Sequence, residues 1–195
     1  MEQLTNSIPT TIFTKKLMNK IDRKDFLITN KNHAYIDRPL NLIDGQTISA
    51  PHMHARAIEY MEPVLKIGNS ILDVGSGSGY LSACYAEAVK VYNKNSKKRG
   101  KVVGIEFHAK LVNHSKRCIL ERYNLLNTYT RNFILMHGDG KKGYPVSSLR
   151  ETYNGIHIGA ACDYIPRILL AQLKKKGIML IPLKINNNLY FTIIQ

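Results

Sequence analysis

Asp73-Val74-Gly75-Ser76-Gly77-Ser78-Gly79 is the segment that most constrains the architecture of this chain. Its glycines follow a predicted short strand, residues 71–74, and precede an apolar helical stretch, residues 81–91. Glycines let a backbone turn tightly and approach a ligand without a clash from a Cβ atom. The dinucleotide-binding fingerprint is G-x-G-x-x-G, whereas the third glycine here comes one residue earlier. The segment therefore predicts a strand–turn–helix unit whose turn lies against a ligand.

The same alternation of strand and helix continues to the C-terminus. Strands are predicted over residues 71–74, 101–105, 133–136, 155–158, 177–181 and 189–194, and helices over 81–91, 109–123 and 165–173. Strands that alternate with helices favour a parallel sheet covered on both faces. We therefore expect an α/β fold of the Rossmann-like, doubly wound type with a mostly parallel sheet. One domain should span residues 1–195, with residues 1–10 frayed.

The region before the glycine turn is less regular. Thr10 is expected to cap a first helix, and residues 29–46, which are rich in Asn, are expected to form an irregular loop. Ser49 is expected to be the N-cap and Pro51 a first-turn residue of a second helix, which should run to about Leu65. The apolar stripe of that helix is predicted to carry Met53, Ala57 and Met61.

Acidic residues follow two of the predicted strands. Glu106 ends the second strand, where a carboxylate can accept hydrogen bonds from both hydroxyls of a ribose. The basic connection 92–100 explains why Glu106 lies further from the glycines than is usual. Asp139 and Gly140 follow the third strand and could contact an adenine, although Asp-Gly is also common in plain turns. Because carboxyl ends of parallel strands share one edge, these residues should surround one ligand.

The early third glycine resembles the first motif of Rossmann-type methyltransferases that use S-adenosylmethionine. Four segments together, residues 46–54, 72–79, 138–140 and 157–161, resemble the protein-L-isoaspartate (D-aspartate) O-methyltransferase family over roughly residues 11–182. The resemblance implies S-adenosylmethionine as cofactor and S-adenosylhomocysteine as product. It also implies methylation of the free carboxylate of isoaspartyl residues in damaged proteins, which starts their repair through a succinimide.

The resemblance further assigns residues to the site. The implied cofactor-binding residues are Gln46, Thr47, Ile48, Ser49, His54, Asp73, Gly75, Ser76, Gly77, Ser78, Gly79, Glu106, Phe107, Asp139 and Gly140. The implied substrate-binding residues are Ser49, His52, Gly159, Ala160 and Ala161. Ser49 is the implied catalytic residue. No Ser-His-Asp arrangement or nucleophile elbow surrounds it, so its hydroxyl should orient the substrate carboxylate and not attack it.

The chain departs from the family pattern at several places. Glu106 stands where the family usually has Asp, Lys141 where it usually has Arg, and residues 182–188 replace a glycine-rich loop. The family's first helix, before residue 10, and its last strand, after Gln195, are expected to be missing. The three cysteines have no CxxC spacing, and no residue at metal-ligand spacing accompanies the histidines near Ser49. No metal is therefore expected.

The formal net charge of +14 leaves two other functions open. Such a charge favours contact with nucleic acid, anionic membranes or acidic proteins, although a general abundance of surface Lys is the simpler explanation. The alternatives are another Rossmann-type methyltransferase acting on RNA or a small molecule, and a non-catalytic basic RNA-binding module. Neither a secretory signal nor a stretch of about 20 apolar residues is found. We expect a cytosolic monomer that acts on isoaspartyl-containing peptides and proteins and needs neither nucleic acid nor a membrane.

Overall fold

A computed structural model of the chain describes residues 7–65, 69–92, 100–123, 125 and 132–195. The helices are α1 Ile12–Lys20, α2 Pro51–Met61, α3 Tyr80–Tyr92, α4 Ala109–Tyr123 and α5 Arg167–Gln172. The strands are β1 Leu40–Asn41, β2 Thr47–Ile48, β3 Ser70–Val74, β4 Lys101–Glu106, β5 Phe133–His137, β6 Tyr153–Ile158, β7 Leu173–Ile185 and β8 Asn188–Ile194. Most of the expected frayed N-terminus and of the basic connection 92–100 lies outside the described residues.

Within the described residues, the main sheet has six strands in the order β5-β4-β3-β6-β7-β8. The pairs from β5 to β7 are parallel, and β8 runs antiparallel to β7. The chain moves outward from β3 to β5 and then returns to the other side of β3 with β6. This reversal is the switch point at which sheets of this type bind ligands. The Rossmann-like, mostly parallel sheet expected from the sequence is confirmed.

Alternate residues of the central strands enter two different apolar clusters, because successive side chains of a strand point to opposite faces. Ile71 and Val102 pack in one cluster with residues of α1 to α4. Leu72 and Val103 pack in the other with Leu169 of α5. Helices therefore cover both faces, and the loops after β3, β4, β5 and β6 meet at the carboxyl edge. Among the described residues, no helix is both long and apolar enough to cross a bilayer.

The first helix and the loop after it differ from expectation. Thr11, not Thr10, caps α1, and its hydroxyl accepts a hydrogen bond from the backbone N–H of Thr14. Thr10 instead donates to the carboxylate of Glu59 in α2, so its hydroxyl ties the two helices together. The loop expected at residues 29–46 is not wholly irregular, since it contains β1, which pairs antiparallel with β2.

The second helix begins at Pro51, as expected, but its N-cap is Ala50 and not Ser49. Ala50 has no side-chain oxygen, and the carboxylate of Asp37 accepts the backbone N–H of His52 at 3.0 Å in its place. The predicted N-cap role of Ser49 is therefore wrong. The helix also ends at Met61 and continues as a 3-10 turn at Glu62–Val64, because Pro63 cannot continue an α-helical hydrogen-bond pattern.

The buried stripe of α2 is also different from the predicted one. Ala57 and Met61 are buried, but Met53 is 37% exposed. His54, which was not placed on that stripe, is buried in its stead. The buried side of α2 therefore carries a polar residue, His54.

The last two strands form a long hairpin. Strand β7 extends well beyond the predicted 177–181, and helix α5 is correspondingly shorter than the predicted 165–173. Asn186 and Asn187, which join β7 to β8, have φ values of 48° and 65°. Two consecutive residues with positive φ match the tight turn that favours Asn in β-hairpins. Residues 182–188, which replace the family's glycine-rich loop, therefore form the end of β7, the hairpin turn and the first residue of β8.

Candidate functional site

The three glycines of the turn after β3 serve two purposes. All have positive φ: 74° at Gly75, 54° at Gly77 and 82° at Gly79. A Cβ at Gly77 would approach, among the described atoms, just the Gly75 carbonyl oxygen, at 3.9 Å. A Cβ at Gly79 would lie 2.7 Å from the Cβ of Ser115 in α4. Gly77 thus leaves open space at the turn, whereas a Cβ at Gly75 would contact Ala160 at 3.8 Å, and Gly79 lets α3 pack against α4.

The carboxylate of Glu106, at the end of β4, is held by the backbone. One oxygen accepts the N–H of Gly77 and the other the N–H of His108, each at 2.8 Å. The residue is 6% exposed. A carboxylate offers about four acceptor positions, so Glu106 keeps acceptor capacity after both backbone bonds are made. The glycine turn and the acidic residue of the neighbouring strand therefore form one rigid unit.

A cleft of about 520 Å³ lies beside this unit at the carboxyl edge of the sheet. The predicted site residues that line it are Gln46, Thr47, Ser49, Gly75, Gly77, Glu106, Phe107, Asp139, Gly140, Gly159 and Ala160. Phe107 is 68% exposed and forms part of the open rim. Asp139 accepts the backbone N–H of Lys141 at 3.1 Å and so begins the 3-10 turn Gly140–Lys142. The aromatic ring, the acidic groups and the open turn are together suited to a nucleoside.

A smaller pocket of about 70 Å³ adjoins the cleft. The predicted site residues that line it are Thr47, Ile48, Ser49, His54, Asp73, Gly75, Ser76, Gly77, Ser78 and Gly159. It is also lined by residues to which the sequence assigned no function, namely Met53, Leu81, His157, Ile158, Pro182 and Phe191. Ser49 lines both cavities and therefore lies at their junction.

Ser49 lies between β2 and α2 and is held through its backbone. Its carbonyl accepts a hydrogen bond from Nη1 of Arg23 at 2.7 Å. Among the described residues, its hydroxyl has no hydrogen-bond partner, because Ala50 and Asp37 have taken over the start of the helix. The hydroxyl is therefore available to a ligand at the junction.

His54 forms one wall of the small pocket. Its Nδ1 lies 3.3 Å from Nη1 of Arg23, and its ring packs 4.9 Å from the ring of Tyr80. Burial, with a further contribution from the charge of Arg23, lowers the pKa of His54 well below its usual value. Burial likewise lowers the pKa of Arg23, to about 10. At neutral pH the guanidinium is therefore charged and the imidazole is neutral.

Asp73 and His157 form a buried pair beneath the glycine turn. Their strands are in register, and Oδ1 of Asp73 lies 2.8 Å from Nδ1 of His157. The other carboxylate oxygen accepts a hydrogen bond from the hydroxyl of Ser82, and Asp73 is 1% exposed. The sequence analysis did not assign a function to His157. Its position near the carboxyl end of a predicted strand was the available signal, whereas its pairing with Asp73 depends on the register of β3 and β6.

Three predicted residues are not brought to either cavity. Gly79 is occupied in helix packing. His52 is exposed, and its ring Nδ1 lies 2.9 Å from the carboxylate of Asp37. Ala161 is also exposed. In the part of the chain that the structure describes, no group of three His, Cys, Asp or Glu side chains is placed to hold a metal ion.

Comparison with known proteins identifies the family. The model of the family Protein-L-isoaspartate(D-aspartate) O-methyltransferase (PCMT) matches residues 3–195. Protein-L-isoaspartate O-methyltransferase 1 of Arabidopsis thaliana is 38% identical over 184 residues, which cover 93% of this chain and 75% of that protein. The protein-L-isoaspartate O-methyltransferase of Caenorhabditis elegans is 38% identical over 167 residues, which cover 86% of this chain and 68% of that protein.

Solved structures agree with this assignment. A Plasmodium falciparum protein, described as a protein-L-isoaspartate O-methyltransferase in complex with S-adenosyl-L-homocysteine, superposes with a TM-score of 0.84 and 32% identity. The superposition covers 96% of this chain and 86% of that one. The enzyme class and fold expected from the sequence are therefore confirmed. Since the match extends over nearly the whole chain, this chain belongs to the protein-L-isoaspartate (D-aspartate) O-methyltransferase family.

Proposed function

We propose that the chain transfers the methyl group of S-adenosylmethionine to the free carboxylate of isoaspartyl residues in peptides and proteins. The observation that supports this most directly is the hydroxyl of Ser49. It lies at the junction of the cleft and the small pocket and lacks a partner among the described residues. A cofactor in the cleft and a carboxylate at the junction would meet beside this hydroxyl.

The residues of the cleft fit an adenosyl cofactor without a phosphate. Glu106 retains acceptor positions for two ribose hydroxyls. Asp139 and Gly140 follow β5 on the far side of the cleft and are proposed to contact the adenine, with Gln46 and Phe107 on the rim. When bound, S-adenosylmethionine supplies a methyl group on a cationic sulfur.

The small pocket fits the other end of the same cofactor. The turn at Gly75 and Gly77, which lines the pocket, is proposed to accommodate the methionine part, and Asp73 is proposed to help hold its amino group. The carboxylate of Asp73 already bonds Ser82 and His157. Each carboxylate oxygen has a second acceptor position, so both bonds are compatible with a further contact from the pocket.

The reaction needs little acid–base chemistry. A carboxylate has a reference pKa of about 4 and is ionised at neutral pH, so no general base is required. The chain's contribution is to bring the nucleophilic oxygen into line with the methyl group in a single displacement. The hydroxyl of Ser49 donates a hydrogen bond to the carboxylate and fixes its direction. The methyl ester carries a better leaving group than the carboxylate. The nitrogen of the neighbouring amide therefore attacks the ester carbonyl, methanol leaves, and the succinimide that forms is hydrolysed in part to the normal aspartyl linkage.

The substrate peptide is proposed to lie along the loop after β6. Gly159 and Ala160 line the cleft, whereas His52 and Ala161 are exposed beyond it. The N–H of Gly159 already donates to the carbonyl of Val74 at 2.8 Å. Contact with a peptide at Gly159 would therefore involve its surface or its carbonyl and not its N–H.

The test compares two peptides of the same sequence, one with isoaspartate and one with normal aspartate, incubated with labelled S-adenosylmethionine. Base-labile label on the isoaspartyl peptide alone is expected. Equal labelling of both peptides, or labelling of RNA alone, would contradict the proposal. Purified protein treated with nuclease should remain active and elute as a monomer, which tests the proposals that it acts alone and without nucleic acid or a membrane.

A further inference from the structure

Arg23 is a completely buried arginine that is held by acceptors other than carboxylates. It begins the 3-10 turn Arg23–Phe26 after α1 and has 0% exposure. Within the described residues it forms no ion pair with a carboxylate; its Nε donates to the carbonyl of Ala34 at 2.9 Å and its Nη2 to that of Arg38 at 3.4 Å. A buried charge is costly unless its donors are satisfied. The guanidinium of Arg23 can therefore remain buried because these carbonyls accept its hydrogen bonds.

The remaining contacts of Arg23 go to the proposed site. Nη1 donates to the carbonyl of Ser49 at 2.7 Å and lies 3.3 Å from Nδ1 of His54. Nη1 of Arg23 thus contacts both Ser49, which is proposed to hold the substrate carboxylate, and His54, which lines the small pocket. The carbonyl of Ala50 is held within α2 by the N–H groups of Met53 and His54. The bond from Arg23 adds the contact that holds Ser49 itself.

The same contact selects the protonation form of His54. A guanidinium has only donors, so Nδ1 of His54 must accept and the ring proton must lie on Nε2. The ring of His54 also packs against the aromatic ring of Tyr80. His54 therefore presents a fixed, neutral ring to the pocket.

We infer that Arg23 is a positioning residue for methyl transfer: it holds the backbone of Ser49 and the ring of His54 in the arrangement that the reaction requires. The inference rests on the proposed function. Lysine cannot replace Arg23 fully, because an ammonium group is a point charge without the planar fork that reaches several acceptors at once.

The experiment compares Arg23→Met and Arg23→Lys with Tyr123→Phe as a control. The hydroxyl of Tyr123 accepts the backbone N–H of Asp22 at 2.8 Å and donates to the carboxylate of Asp25. Tyr123→Phe therefore loosens the same 3-10 turn from α4 without removing any bond to Ser49 or His54. For each protein one measures kcat and KM for the isoaspartyl peptide, the Kd for S-adenosylhomocysteine, and the free energy of unfolding.

Arg23→Met is expected to lower kcat at saturating substrates by about 10- to 100-fold, the scale of a displacement of about 1 Å at a reacting group. Arg23→Lys should restore part of that loss, and Tyr123→Phe should lower stability but keep the wild-type kcat. The inference is overturned if folded Arg23→Lys or Arg23→Met has the wild-type kcat, or if Tyr123→Phe loses kcat to the same extent.

A second measurement does not depend on turnover. Nuclear magnetic resonance of ¹⁵N-histidine protein, with His54→Gln to assign the signal, reports which ring nitrogen carries the proton. We expect Nε2–H in the wild type and a mixture of forms in Arg23→Met, whose side chain has no donor for Nδ1. A wild-type ring protonated on Nδ1, or the pure Nε2–H form in Arg23→Met, would refute the inference even if the peptide assay showed no isoaspartyl activity.

Discussion

The cleft and the small pocket share Ser49 but are built in different ways. The cleft is organised by backbone groups, above all the two N–H groups that hold Glu106. The pocket is organised by side chains that meet from distant parts of the chain: Arg23 reaches His54 across 31 residues, and His157 reaches Asp73 across 84. In the proposed function, recognition of the nucleoside thus depends on local backbone geometry, whereas the arrangement for methyl transfer depends on long-range contacts. Variants on the two sides should therefore affect different measured quantities.

The largest effect is expected from Ser49→Ala at the junction. Hydrogen bonds to charged groups are worth about 1.5–3 kcal/mol, so kcat should fall by roughly 10- to 100-fold. The Kd for S-adenosylhomocysteine, measured by calorimetry, should change little, because that product contains no substrate carboxylate. Ser70→Ala, at the opposite end of β3, is the control and should leave kcat unchanged. A loss of cofactor affinity without a loss of kcat would contradict the role of Ser49 in methyl transfer.

Glu106→Gln tests the cleft side of the comparison. The amide keeps the shape of the side chain, but its NH₂ must face a backbone N–H, either of Gly77 or of His108. The Kd for S-adenosylhomocysteine should rise by roughly 10- to 100-fold, in line with the loss of charged hydrogen bonds. At saturating cofactor, kcat should stay within a few-fold of the wild type. Glu87→Gln, a buried glutamate of α3 that pairs with Lys90, is the matched control and should keep the wild-type Kd.

A pair of glycine variants sharpens the distinction further. Gly77→Ala and Gly79→Ala both place a side chain at positive φ, which costs roughly 1–2 kcal/mol. Only at Gly79 does the new Cβ also clash with Ser115, at 2.7 Å, while at Gly77 it enters the open turn. Urea unfolding should show the greater loss of stability for Gly79→Ala, and calorimetry the greater loss of cofactor affinity for Gly77→Ala. Equal losses of cofactor affinity in the two variants would contradict the proposed contact between the cofactor and the turn at Gly77.

This division also explains what the sequence could predict. The strands, the helices after them and the acidic residue of β4 follow from periodicity and from glycine positions, since those signals are local. The register that places His157 beside Asp73, and the turn that buries Arg23, depend on tertiary contacts that no local pattern encodes. The predicted site residues that line the cavities remain predictions as to their individual roles, as does the single domain over residues 1–195.

The start of α2 is the clearest case of a tertiary contact that overrides a local signal. Ser49 before Pro51 is a good local N-cap pattern, yet Ala50 occupies the cap position. The carboxylate of Asp37 reaches the backbone N–H and the ring of His52 from a separate loop. A carboxylate at a helix N-terminus is favourable both as an acceptor and through the helix dipole. The hydroxyl of Ser49, which the local pattern assigns to capping α2, therefore does not cap the helix and is available to a ligand in the cavities that Ser49 lines.

Asp37→Ala tests this exchange and should have the smallest effect of the four. Loss of an N-cap acceptor costs about 1 kcal/mol, which urea unfolding at neutral pH should detect, with Asp163→Ala as an exposed control. Burial acts to raise the pKa of Asp37, but its hydrogen bonds with His52 outweigh this, and the pKa is lowered. A lowered carboxyl pKa adds stability above the unfolded value of about 4, and this is lost as the pH falls through the folded value. The difference between Asp37→Ala and the wild type should therefore shrink in acid, and a difference that stays constant with pH would show that the carboxylate charge is not what stabilises α2.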